Sequence, residues 1–159
     1  MSIFPTRILL ATDGSREAQL AANTAADIAN STNSELHLLT VAPGNPDPVY
    51  HIHEGGLRYE TYQQALEAIK GEAQKVLDEQ LQEIEGAGGS VKEAYLRVGE
   101  RRDQAIVHLA EELDAGLIVM GSRGLGGVRR ALMGSVSDSV VRHAHCPVMI
   151  VRPEKDRTE

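Results

Sequence analysis

Residues 117–137 read LIVMGSRGLGGVRRALMGSVS. The opening four residues, Leu117, Ile118, Val119 and Met120, form a short apolar run of the kind that makes a buried strand. Gly121, Gly124, Gly126 and Gly127 follow, then the adjacent pair Arg129 and Arg130, then Gly134 and the small hydroxyl residues Ser135 and Ser137, which open a helix. Glycine at a strand end lets the backbone approach a ligand closely and take positive φ. Uncapped N–H groups at a helix start attract anions. Residues 115–137 contain Arg123, Arg129 and Arg130 but no Asp or Glu, although the chain as a whole carries a net charge of −7. A strand, a glycine-rich turn, a locally basic balance and a helix start together predict that this stretch holds a phosphate-bearing ligand.

Working outward, strands and helices alternate. Residues 7–12 (RILLAT) are apolar and end in Asp13-Gly14-Ser15, which predicts a buried strand and a turn. Ser15 is a suitable N-cap, and Glu17 suits the first turn of a helix. That helix puts Ala18, Ala22, Ala25 and Ala29 on one face, beside Ala21 and Ile28, and stops within residues 30–33. Residues 35–41 are the second strand. Residues 42–57, with Pro43, Gly44, Pro46, Pro48, Gly55 and Gly56, read as a loop inside one domain. An amphipathic helix is expected over 59–85, with Tyr62, Leu66, Ile69, Ala73, Val76, Leu77 and Ile84 on its apolar face and the acidic residues of 72–85 on a solvated one. Further strands are expected at 91–98, 117–120 and 147–151, with helices at 101–113 and 135–144. Residues 1–153 form one domain, and the charged tail, 154–159, is expected to fray.

Short apolar strands alternating with helices predict a parallel sheet covered on both faces. Right-handed crossovers bring every strand's C-terminal end to one edge, where ligands of such sheets bind. Asp13 and Gly121 stand at two of those ends. The net charge argues against nucleic acid and anionic membranes. Aromatic residues make up 3% of the chain, too few for a base-stacking platform. The single cysteine, Cys146, and the absence of a long apolar run predict a cytoplasmic protein.

The glycine spacing fits neither the Walker loop nor G-x-G-x-x-G. It reads Gly121-x2-Gly124-x9-Gly134-Ser135. This resembles the ATP-binding signature of the universal stress protein family. The rest of the chain agrees in order: a first strand into Thr12-Asp13-Gly14-Ser15, a second ending at Val41, the IVMGSRG segment, and a last strand after Cys146-Pro147. The resemblance implies an open parallel sheet of order 3-2-1-4-5, Rossmann-like, with Asp13 and Gly121 flanking the reversal.

It also implies ATP with a divalent cation, Mg2+ or Mn2+, as cofactor. Gly121 and Gly124 would let the backbone pass ribose and phosphates. Gly134 would permit the turn onto the last helix. Ser135, Val136 and Ser137 would offer N–H groups to phosphates, with serine hydroxyls adding bonds. Val41 and Met120 would frame adenine. Asp13, with Ala11 and Thr12 nearby, would meet a ribose hydroxyl or a metal-bound water; a turn-forming role beside the helix cap stays open for it. Arg123 would reach phosphate oxygens, while Arg129 and Arg130 stay open between that role and a solvated pair. A homodimer through Val148–Val151 is implied as well.

The function expected is nucleotide-dependent conformational or partner switching in a stress response. No catalytic residue can be assigned. A slow ATPase or a nucleotidyl- or phosphoryl-transferring enzyme of the same superfamily is one alternative, although an H-x-G-H motif after the first strand is absent. A structural dimer with an empty site is another. His51, Ile52, His53 and Glu54 lack matching metal ligands elsewhere. His37 and His108 read as structural. Cys146, between His145 and Pro147, reads as a small buried hydrophobe.

Overall fold

The computed structural model describes residues 1–44, 59–122 and 133–154, with the side chains of the long central helix described from Tyr62 onward. The elements run β1 (Arg7–Ala11), α1 (Arg16–Thr32), β2 (Glu35–Ala42), α2 (Tyr59–Gly86), β3 (Glu93–Val98), α3 (Arg102–Glu112), β4 (Leu117–Gly121), α4 (Ser135–His143) and β5 (Val148–Val151). Every strand pairing is parallel. The five strands lie in the order β3-β2-β1-β4-β5. This is the expected sheet, with the order reversing between β1 and β4.

Alternate residues of the central strands enter opposite cores. Ile8, Leu10, Leu36, Leu38, Leu117 and Val119 face α1 and α2, where they meet the alanines of α1 and Leu77 and Ile84 of α2. Leu9, Leu39, Ile118 and Met120 face the other way, onto Ile106, Leu109 and Ala110 of α3 and Val140 of α4. Each buried Leu or Ile contributes about 1.5–3 kcal/mol, so the two-sided burial of β1 and β4 fixes their register.

The alanine face of α1 lets that helix come close to the sheet. Ala18, Ala21, Ala22, Ala25 and Ala29 are all buried. Ser15 caps the helix, its Oγ accepting from the Ala18 N–H at 3.2 Å. Asn33 ends it in the left-handed region at φ 55, and the Ser34 N–H returns to the Ala29 carbonyl at 2.9 Å.

Several boundaries differ from the sequence expectation. β3 opens at Glu93, two residues late: Val91 packs on the α1/α2 core, yet the ladder with β2 begins only at His37↔Glu93. β5 opens at Val148, because Pro147 has no N–H to donate; its carbonyl still accepts from Ile118. β1 stops at Ala11, although the Thr12 N–H still reaches the Leu39 carbonyl. β2 and β4 each gain one residue, Ala42 and Gly121, and α2 gains Gly86. α3 spans Arg102–Glu112, flanked by the cap residues Arg101 and Leu113. Ala144 is the extended C-cap of α4 rather than its last helical residue. Most of the expected 42–57 loop and of the charged tail lies outside the described residues.

Candidate functional site

The exits of β1 and β4 lie side by side at the reversal of strand order. After β1 the chain makes a tight turn. Gly14 has φ 79, a conformation that favours glycine. The Ser15 N–H donates to Asp13 Oδ1 at 3.0 Å, and the Gly14 N–H to Thr12 Oγ1 at 3.4 Å. Asp13 is half-buried. Its carboxylate therefore shapes the turn, the role that the sequence left open beside ligand contact.

After β4 the geometry is different. Ser122 is buried and anchors both ends of the glycine-rich excursion. Its N–H donates to the Val151 carbonyl at 3.0 Å, and its own carbonyl accepts from the Gly134 N–H at 2.7 Å. The same carbonyl accepts from Ser137 Oγ at 2.9 Å, and that hydroxyl also contacts the Gly134 carbonyl at 3.1 Å. Ser137 is 2% exposed. Its hydroxyl is a clip between the end of β4 and α4. Arg123 and Gly124, with Gly126, Gly127, Arg129 and Arg130, lie outside the described residues.

Gly134 is the N-cap of α4, with φ −72 and ψ 165 and no side-chain hydrogen bond. Gly134 makes the turn onto the last helix with angles that any L-residue adopts, so positive φ is not what calls for glycine there. What glycine does here is withhold a capping side chain. Among the described residues, the first-turn N–H groups of Ser135, Val136 and Ser137 receive no cap, and the first bond of the helix runs from Asp138 N–H to the Gly134 carbonyl at 3.0 Å.

Gly121 also owes its identity to something other than a ligand. A Cβ there would lie 2.8 Å from Glu17 Cβ and 2.9 Å from the Glu17 carbonyl carbon. The start of α1 presses on the end of β4, and only glycine fits. Ala11, Val41 and Met120 share the α3/α4 face of the sheet, Met120 buried and the other two half-buried. They form an apolar shelf beside the open end of α4.

α4 is also held from the side. Ser139 Oγ donates to Asp103 Oδ2 at 2.7 Å, and Arg101 reaches the same oxygen at 3.0 Å. The Ser139 hydroxyl, then the Gln104 backbone amide and Arg101, hold the Asp103 carboxyl below its usual range against the opposing effect of burial.

The opposite edge of the sheet carries charges of its own. His37 is buried, with Nδ1 3.2 Å from Tyr95 Oη and Nε2 3.3 Å from Glu35 Oε2. Its hydrogen bond is the largest influence holding the Glu35 carboxyl below its ordinary value. Burial, helped by Glu93, pushes the Tyr95 phenol up to about 12. A polar recess of about 350 Å³ lined by Pro5, Thr6, Arg7, Asn33, Glu35 and Asp114 opens there. It lacks the apolar wall of a nucleotide pocket.

Of the remaining sequence candidates, His108 is exposed beside Glu100. Cys146 is half-buried against the α3/α4 core, its thiol pushed up by burial. Among the described residues no group of three His, Cys, Asp or Glu side chains is placed to hold a metal; His51, His53 and Glu54 lie outside them. No helix among those residues is long and apolar enough to cross a membrane. Sequence reasoning missed Ser122 and Gln80, which bind the two turns from beneath.

Residues 5–152 match the model of the universal stress protein family. A Staphylococcus aureus (strain USA300) relative described as a "Putative universal stress protein" is 34% identical over 148 residues, covering 93% of this chain and 84% of its own. The solved universal stress protein UspA from Lactobacillus plantarum superposes with a TM-score of 0.75 at 25% identity, over 95% of this chain and 100% of that one. A solved universal stress protein in complex with cAMP has a TM-score of 0.66 at 28% identity, over 92% and 97% of the two chains.

Proposed function

The chain belongs to the universal stress protein family, and on that premise we propose that it binds ATP at the β1/β4 edge and acts as a nucleotide-dependent switch in a stress response. The observation that carries this reading is the start of α4. Among the described residues, the first-turn amides of Ser135, Val136 and Ser137 behind the glycine cap meet no acceptor, and a helix N-terminus in that state is an anion site. The shelf of Ala11, Val41 and Met120 lies on the side where a base would stack. The cAMP complex of a relative supports adenine nucleotide as the ligand class.

In this proposal the phosphates meet the α4 amides and Arg123, while Gly121 and Gly124 border the ribose. Thr12 and Asp13 face the ligand from the β1 side, and Asp13 takes up a water of the Mg2+ or Mn2+ ion. The ion would screen phosphate charge near that carboxylate. Residues 1–153 act as one nucleotide-binding unit of a cytoplasmic protein. The protein is a regulator, not an enzyme, and it pairs with a second copy through β5, an edge strand on which Met149 is 37% exposed.

Calorimetric titration with Mg-ATP tests the binding. A hundredfold excess over Kd should raise stability by about 2.7 kcal/mol. A melting temperature unmoved by millimolar Mg-ATP supports the empty-site alternative instead. Sustained release of phosphate or pyrophosphate from ATP would make the protein an enzyme. Met149→Lys should yield monomers by light scattering; a retained dimer contradicts the β5 interface.

A further inference from the structure

The inward face of α2 is interrupted by a polar residue. Ala73, Leu77 and Ile84 are buried at helical spacing, and Gln80 sits among them at 3% exposure. Both hydrogens and the oxygen of its amide are engaged. Thr12 Oγ1 donates to Gln80 Oε1 at 2.9 Å. Gln80 Nε2 donates to Gln19 Oε1 at 3.2 Å and to Glu83 Oε2 at 3.3 Å. One side chain on α2 thus ties together the exit of β1 and the second turn of α1.

The same turn is gripped at other points. Thr40 Oγ1 donates to the Thr12 carbonyl at 3.2 Å. A Cβ on Gly14 would meet Val76 of α2 at 3.3 Å, so α2 also lies over the next residues of the turn. The hydrogen bond to Gln80 commits the only hydroxyl proton of Thr12. That orients the Thr12 oxygen to accept from the Gly14 N–H at 3.4 Å. Asp13 lies between these two residues.

We infer that Gln80 is a positioning residue, which acts through Thr12 to hold the Thr12–Ser15 turn in the geometry that the nucleotide meets. This rests on the proposed nucleotide site. A leucine at position 80 would continue the apolar face of α2, so the fold alone does not call for glutamine. Departures from binary pattern at a satisfied buried polar group point to specification of local geometry. The consequence is that α2, through Thr12, sets nucleotide affinity from the β1 side of the site.

The test uses Gln80→Leu, with Gln80→Met as the second variant should leucine impair folding. Both remove the acceptor and keep the volume. Two quantities are measured on the full chain: ATP affinity, and amide hydrogen exchange at Gly14 and Ser15. The expected result is about fivefold weaker Mg-ATP binding, the worth of one buried hydrogen bond, with faster exchange at Gly14 and Ser15 and unchanged exchange in β1 and β4. Thr12→Val and the double variant Thr12→Val/Gln80→Leu should then bind ATP equally, since one bond cannot be broken twice. A lowered melting temperature with unaltered affinity and unaltered exchange at the turn would mean a purely structural glutamine and overturns the inference, as do additive losses in the double variant. If the wild-type protein binds no nucleotide, the proposed function falls; exchange at Gly14 and Ser15 still decides whether Gln80 holds the turn.

Discussion

Two helices begin at the ligand edge of this sheet, and they begin in opposite ways. α1 follows β1 through a turn that satisfies itself: Ser15 Oγ takes the Ala18 N–H, and Asp13 takes the Ser15 N–H. α4 begins with glycine at its cap, and among the described residues no side chain is offered to its first turn. One helix start is closed by its own residues; the other, among the described residues, is not. Both are firmly held, α1 by its alanine face and α4 by Ser122 and Asp103. The first turn of α4 is therefore held in place, as the proposed anion site requires.

The largest expected effect is where the start of α1 presses on the end of β4. Gly121→Val pushes a side chain into the Glu17 backbone and should destabilise the nucleotide-free protein by about 3 kcal/mol in urea unfolding. Unchanged stability would mean that Gly121 serves the ligand alone. Next is Gly134→Asp. It gives α4 the cap that α1 already has, and it puts a carboxylate where phosphate is proposed to sit. ATP affinity should fall at least about tenfold, a loss of about 1.4 kcal/mol, while the nucleotide-free protein gains about 0.3 kcal/mol, since glycine is only slightly poorer than aspartate as a cap. A variant that is more stable and binds as well as before would remove the distinction between the two helices.

Ser15→Ala is the converse. It opens α1 and should cost about 1 kcal/mol of stability, with a smaller loss of ATP affinity than Gly134→Asp, because no anion is proposed at that helix start. The smallest effect concerns how α4 is held. Ser139→Ala removes the main influence that keeps the Asp103 carboxyl low and should cost about 0.5–1 kcal/mol near pH 6. A carboxyl depressed in the folded state contributes stability above its unfolded value, about pH 4, and that contribution is lost as pH falls through the folded value. Unfolding curves of variant and wild type should accordingly diverge at pH 6 and converge below pH 4. A constant difference across that range would put the effect of Ser139 elsewhere.

Much of this was legible along the chain. The alternation of Ile8, Leu9 and Leu10 and of Leu117, Ile118 and Val119 needs two covered faces, and the small residues of α1 need a close sheet. Ser15 was readable as a cap because a hydroxyl before a helix has one local use. Gln80 was not. It stands within a run rich in exposed acids, and nothing local separates a solvated glutamine from one that reaches Thr12, 68 residues away. Ser122 was hidden for the same reason: nothing local shows that its carbonyl accepts from Ser137, 15 residues away.

The sequence by itself determined the element order, the parallel sheet and the family, since periodicity and glycine spacing are properties of neighbours along the chain. The tertiary structure alone decided what several of those residues touch. Gly121 packs against α1, Ser137 bonds to the end of β4, and Gly134 offers α4 no capping side chain. Packing and hydrogen-bond satisfaction depend on what arrives from elsewhere in the fold, and a linear pattern does not encode which partner arrives.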